Sequence, residues 1–75
     1  MAKNSMPKKV REKIFKTVFD KADEFGYMEC DRVQSGHFMD LLVEDPEVGI
    51  ILIEYMPKER VRTYIKDTIL NRYTK

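Results

Sequence analysis

The chain has 75 residues, a net charge of +1 at pH 7 and 43% hydrophobic residues, which is typical of one small globular domain and not of a disordered segment. The single cysteine, Cys30, excludes an internal disulfide and fits a reducing compartment, so we expect a cytoplasmic protein. The longest apolar run, residues 48–53, is much shorter than a membrane span, and we expect no membrane partner.

Charge is distributed unevenly along the chain. Residues 1–16 carry a net charge of +5, residues 17–47 carry −7, and residues 48–75 carry +3. The basic ends could attract the acidic middle, within the fold or between subunits. They could instead bind an anionic partner such as nucleic acid. We favour the first interpretation.

The first predicted helix covers residues 7–25. Its apolar residues recur three and four positions apart, which places them on one helix face: Val10, Ile14, Phe15, Val18, Phe19, Ala22 and Phe25. Pro7 suits the first turn of a helix, and Gly26 suits the left-handed position that follows the last turn. Residues 1–6 are predicted to be a disordered basic tail.

Two shorter helices are predicted in the middle of the chain, over residues 36–44 and 46–56. Residues 27–34 lack clean periodicity and are interpreted as a loop, with Ser35 as the N-cap of the helix that follows. Phe38, Leu41 and Leu42 would line one side of that helix. The pair Asp45-Pro46 would then end it and start the next, because the residue before proline avoids helical angles and proline suits a first helical position.

Residues 48–55 can be interpreted in two ways. Val48, Ile51, Leu52 and Tyr55 form a helical stripe, and Ile50 and Ile53 make the segment apolar on nearly every side, which indicates a buried helix. The β-branched run also suits a strand, but a strand would have to pair across a dimer, since the chain offers no second candidate. We favour the helix, in which Gly49 would let a neighbouring backbone approach closely.

The last predicted helix covers residues 57–73 and starts at Pro57. Its expected inner face comprises Val61, Tyr64, Ile65, Thr68 and Ile69. Lys58, Arg62 and Lys66, each four residues apart, form a basic row on its surface. The sequence therefore predicts an all-α fold: a small bundle of about four helices in a single domain over residues 1–75.

The first and last helices begin alike, with "MPKKVRE" at residue 6 and "MPKERVR" at residue 56. We interpret the similarity as a shared building pattern and not as a duplication. Both helices start with positive charge, which the helix dipole disfavours by about 0.3–1 kcal/mol per charge. Each basic cluster therefore indicates an anionic neighbour: the acidic middle, a second subunit or phosphate.

No catalytic or cofactor motif is evident. Cys30 and His37 are the one nucleophile and base pair in the chain, with Asp40 able to share a helix face with His37. Glu29 and Asp31 could join them in a metal site, but the ligand types are mixed and the spacing matches no standard site. We predict a non-enzymatic protein without cofactor or metal.

Two functions remain as hypotheses. The favoured one is a small helical interaction or assembly module that binds itself as a homodimer, or binds a larger protein, through an apolar surface formed by Val48, Ile50, Ile53, Tyr55 and Met56. The alternative is a nucleic-acid-binding accessory protein that contacts phosphates through basic helix N-termini. Its candidate contact residues are Lys8, Lys9, Arg11, Lys58, Arg62 and Lys66.

Overall fold

The computed structural model describes residues 6–73, and these contain helices and no strand. The predicted all-α bundle of four helices is confirmed. The helices are α1 (Lys8–Phe25), α2 (Arg32–Val43), α3 (Gly49–Leu52) and α4 (Lys58–Tyr64), with a short 3₁₀ turn (Tyr27–Glu29) between α1 and α2. Helix α4 continues without a break through a π-helical segment (Ile65–Leu70) into a last turn (Asn71–Tyr73), and we call residues 58–73 the C-terminal helix. Of the predicted tail, residues 1–5 lie outside the described residues, and Met6 packs against the core.

Helix α1 begins and ends almost where the sequence predicts. Pro7 occupies the N-cap position and not the first helical turn, and its carbonyl accepts a hydrogen bond from the Arg11 amide at 3.0 Å. Gly26 follows the last turn with φ of +78°, a conformation that a residue with Cβ adopts only with strain. Its amide donates to the Ala22 carbonyl at 3.0 Å, so an otherwise unpaired helix-end acceptor is satisfied.

Helix α2 begins four residues earlier than predicted, because its cap is Asp31 and not Ser35. The Asp31 carboxylate accepts a hydrogen bond from the Gln34 amide at 2.8 Å, and the Gln34 side chain accepts one from the Asp31 amide at 3.0 Å. These reciprocal bonds form a capping box, which satisfies two amides that would otherwise lack partners. The prediction missed this start because residues 27–34 lack the apolar periodicity that marks a helix.

A tight corner joins α2 to α3, and Asp45 and Gly49 build it. The Asp45 carbonyl accepts hydrogen bonds from the amides of Val48 and Ile50, both at 3.1 Å, and its carboxylate accepts one from the Glu47 amide at 2.8 Å. Gly49 is buried so closely against the end of α2 that a Cβ there would lie 1.8 Å from the Val43 carbonyl oxygen. The predicted close approach at Gly49 is therefore confirmed.

Helix α3 has four residues and replaces the predicted helix over residues 46–56. Turns flank it on both sides. Before α3, the Asp45 carbonyl accepts a hydrogen bond from the Val48 amide; after α3, the amides of Glu54 and Tyr55 donate to the carbonyls of Ile51 and Leu52. The alternative strand over 48–55 is absent from the described residues. The expectation of burial on every side is also wrong: Val48 and Leu52 are buried in the core, whereas Ile50 and Ile53 are 48% and 43% exposed.

The C-terminal helix carries the predicted inner face and one further core residue. Val61, Ile65 and Ile69 are fully buried, as expected, and Leu70 is buried beside Ile69. Both lie in the π-helical segment Ile65–Leu70, whose turns are wider than those of an α-helix. A strict 3.6-residue period could not have revealed this.

One hydrophobic core joins all four helices. Its buried members are Ile14, Val18, Ala22, Phe38, Met39, Leu42, Val48, Leu52, Val61, Ile65, Ile69 and Leu70. Along its side runs a row of six aromatic rings with successive centroids 4.8–6.2 Å apart: Phe15, Phe19, Tyr73, Tyr27, Phe38 and Phe25. This row ties the second half of α1 to α2 and to the end of the C-terminal helix.

Replacing Gly49 with alanine should destabilise the fold by about 2 kcal/mol or more, because the new methyl group would overlap backbone atoms that have nowhere to move. Gly36→Ala is the matched control, since a Cβ at this helical position meets nothing within 4 Å and should stabilise α2 by about 0.5–1 kcal/mol. Urea unfolding followed by circular dichroism measures both. Equal effects of the two substitutions would contradict the corner described here.

Candidate interaction surfaces

Two of the residues considered for catalysis make other contacts in the structure. The Cys30 thiol donates a hydrogen bond to the Tyr27 carbonyl at 3.1 Å, so its proton faces a backbone oxygen. Asp40, the predicted partner of His37, forms an ion pair with Arg62. Among residues 6–73, no group of three or more His, Cys, Asp or Glu side chains could hold a metal ion. In the same part of the chain, no helix has the length and apolar character needed to cross a bilayer.

All six basic residues predicted to bind nucleic acid are exposed, but they are not equivalent. Arg62 donates a hydrogen bond to the Asp40 carboxylate and lies 3.4 Å from the Gly36 carbonyl oxygen, so its guanidinium already has partners within the fold. Lys8 forms a 3.9 Å ion pair with Glu12, its neighbour on the same helix. For Lys9, Arg11, Lys58 and Lys66, no carboxylate of the described residues lies within 4 Å.

Helix α1 and the C-terminal helix lie beside each other. Arg11 near the start of α1 acts electrostatically on Tyr64 of α4, and Phe19 and Asp23 further along α1 contact Tyr73 at the end of the C-terminal helix. The two helices therefore run in the same general direction. Burial raises the pKa of Tyr64, and the charges of Arg11 and Arg72 oppose that rise.

Only two of the five residues predicted to form a partner interface are exposed in the structure. Val48 is completely buried in this chain's own core and offers no surface to a partner. Tyr55 and Met56 are half-buried, and Met56 packs against the core. Ile50 and Ile53 are exposed and, being three residues apart, they share one side of α3. We call these two isoleucines the α3 patch; the exposed acids Glu47 and Glu54 flank it in sequence.

A groove lies on α1 where Phe15 and Phe19 are only half-buried. It has a volume of about 480 Å³. Its lining residues are Arg11, Glu12, Phe15, Lys16, Phe19, Asp20 and Arg72, and we call it the aromatic groove. The Arg72 guanidinium lies 5.5 Å from the centre of the Phe15 ring, which is within the range of a cation–π contact.

Charges within the aromatic groove are mostly basic once its internal ion pair is considered. Lys16 and Asp20 form a 3.3 Å ion pair and neutralise each other. Arg11 and Arg72 then remain, against the single carboxylate of Glu12. Phe15 and Phe19 were predicted to lie on the core face of α1, and this groove was not predicted. A signal was present: both residues directly follow members of the buried row Ile14–Val18, so they lie at its edge and not at its centre.

A second groove, of about 410 Å³, lies between α1 and α2 around Leu41, which is 51% exposed and does not line the core as predicted. Its rim is acidic on balance, with Glu24 and Asp45 against Lys21. Lys21 and Asp45 form a 3.1 Å ion pair in which Asp45 is mostly shielded from solvent. The hydrogen bond and the negative charge of Asp45 raise the pKa of Lys21 above its ordinary value of 10.5, so this pair persists throughout the neutral range.

The separation of basic and acidic residues along the sequence is also present in the folded structure. Ten basic and three acidic residues lie in residues 8–16 and 58–73, whereas α2, α3 and their connections carry mainly acids. Among the described residues, Arg62–Asp40 is the one ion pair within 4 Å that joins these two regions. Close ion pairs therefore neutralise little of the charge of either region inside one chain.

Comparison of this chain with protein-family models, curated proteins and solved structures found no match.

Proposed function

We propose that this protein is a small non-enzymatic assembly module that binds a second copy of itself through the α3 patch. The observation that supports the proposal is the half exposure of both Ile50 and Ile53 on one turn of helix. The rigid corner behind them turns these side chains away from the core, while Val48 and Leu52 point into it. Burying apolar surface is the main driving force of most protein association, at about 25 cal/mol per Å².

Other exposed apolar residues are weaker candidates for the interface. Val33 is 80% exposed but lies on α2 among polar and charged neighbours in sequence. Met28 is 57% exposed on the 3₁₀ turn, again without an exposed apolar neighbour three or four residues away. Isolated exposed apolar side chains are common on protein surfaces, whereas two adjacent ones on one helical turn form a contiguous patch.

Light scattering during gel filtration should give a mass that rises with concentration from 9.0 kDa towards twice that value. The double substitution Ile50→Ser, Ile53→Ser should weaken dimerisation by about tenfold or more, because it removes apolar surface without adding charge. The matched control is Val33→Ser, an exposed β-branched residue outside the patch, which should leave dimerisation unchanged.

A mass that stays at 9.0 kDa at high concentration would contradict the proposal. Equal loss of dimerisation in the Val33→Ser control would place the interface elsewhere. Far-ultraviolet circular dichroism of each variant establishes that its helices are intact.

Binding of nucleic acid is the second candidate, favoured by one observation. Most basic side chains of residues 8–16 and 58–73 have no carboxylate of the described residues within 4 Å, so they are available to phosphates. The acidic residues of α2 and α3 lie on the same small molecule and would repel a long duplex, which is why we rank this function second.

If this second function operates, duplex DNA or RNA should bind at low salt and lose affinity steeply as salt rises. The triple substitution Lys9→Ala, Arg11→Ala, Lys58→Ala should then weaken binding and reduce the salt dependence. Arg32→Ala, which removes an exposed base from the acidic region, is the matched control and should have little effect. A fluorescence anisotropy titration measures both, and the absence of binding at low salt would exclude this function.

A further inference from the structure

The α3 patch is too small to hold two copies together by itself. Stable interfaces bury about 800 Å² on each partner, which would be about a seventh of the 5483 Å² accessible surface of this chain. Two half-exposed isoleucines supply only a fraction of that area. The patch therefore needs a concave apolar surface on the second copy that encloses it.

Several grooves offer such a surface, and their linings distinguish them. The groove lined by Tyr55, Met56, Arg60 and Asp67 is neutral on balance, and the groove that contains Lys66 is lined by four polar or charged residues out of seven. Charge distinguishes the remaining two. The exposed residues Glu47 and Glu54 flank the α3 patch in sequence, so the segment brings negative charge to an interface. The groove around Leu41 is acidic on balance and would repel it. The aromatic groove has an apolar floor of phenylalanine rings, and two arginines on its rim have no carboxylate of the described residues within 4 Å.

We propose that the α3 patch of each copy docks into the aromatic groove of the other, so that the same contact forms twice in a closed two-fold dimer. This inference rests on the proposed function and names the receiving surface. Ile50 and Ile53 would cover the half-buried rings of Phe15 and Phe19, removing apolar surface of both copies from water.

Charge complementarity at the rim of the groove selects this arrangement. Glu47 and Glu54 of one copy would face Arg11 and Arg72 of the other, which are planar donors suited to carboxylates. The net charge of each chain is only +1, so two copies approach without substantial overall repulsion. The basic and acidic regions, which barely pair within one chain, would then pair between two chains.

A charge-exchange experiment tests this pairing. The groove variant carries Arg11→Glu and Arg72→Glu, and the patch variant carries Glu47→Lys and Glu54→Lys. In either variant alone, patch and groove have the same sign of charge, so dimerisation at low salt should weaken by about tenfold or more. When the two variants are mixed, each patch again meets a groove of opposite charge, and a one-to-one heterodimer should form. Sedimentation velocity measures every sample.

Matched controls carry the same charge changes outside the two surfaces. Lys58→Glu with Lys66→Glu controls for the groove variant, and Glu29→Lys with Glu59→Lys controls for the patch variant; all four residues are exposed. Both control proteins should dimerise like the unaltered chain. Thermal unfolding of each protein establishes that it is folded, which matters most for Arg72→Glu because Arg72 stacks on Phe15.

Recovery of dimer in the mixture, with each variant alone impaired, would support the proposed pairing. Suppose instead that the chain dimerises and loses dimerisation with Ile50→Ser, Ile53→Ser, but the groove variant dimerises normally. The aromatic groove is then not the receiving surface, while the proposed function still holds. A chain that is monomeric throughout would overturn both. Both would also be overturned if the chain never self-associates and the groove variant loses duplex binding. Arg11 and Arg72 would then contact phosphate.

Discussion

The contact of Gly49 with the end of α2 is the constraint on which the rest of this structure depends. Only a residue without a side chain can lie so near the Val43 carbonyl, and Asp45 holds the chain in that position by accepting three backbone hydrogen bonds. This corner makes α3 leave α2 at a fixed angle. As a consequence Val48 and Leu52 complete the core, whereas Ile50 and Ile53 are left in solvent. The feature that closes the fold therefore also creates the surface that we propose for assembly.

The separation of basic and acidic regions is the second main feature of the structure. The starts of α1 and of the C-terminal helix are basic, the α2–α3 region is acidic, and Arg62–Asp40 is the one close ion pair between these regions among the described residues. Exposed ion pairs contribute little to the stability of a fold, so this separation has a small folding cost. Its larger effect is on association, where opposite charges steer two surfaces together and select the orientation in which they meet. A chain of nearly zero net charge with separated charges is suited to binding its own copies.

The sequence predicted the long elements well and the short ones poorly. The period of α1 and of the C-terminal helix is carried by many residues, and the prolines and Gly26 mark their ends, so the bounds were right to about a residue. The predicted start of α2 was wrong because the true start is marked by the capping box of Asp31 and Gln34, and no apolar periodicity accompanies it. The predicted length of α3 was wrong because residues 46–48 form turns that are hydrogen-bonded to Asp45, and residues 53–55 form turns as well. The π-helical segment could not be predicted, because it interrupts the regular helical period. The edge positions of Phe15 and Phe19 indicated that their rings would be only partly covered, but the contribution of Arg72 to the aromatic groove depends on packing between elements distant in sequence.

Hydrogen–deuterium exchange measured across a range of protein concentrations tests the central claim most directly, because it reports where two copies meet. Docking of the α3 patch into the aromatic groove predicts that exchange slows with rising concentration in peptides that contain α3 and in peptides that contain Phe15 and Phe19. Exchange in the 3₁₀ turn Tyr27–Glu29 should not change with concentration. Exchange that is independent of concentration in α3 and in the groove would contradict the claim.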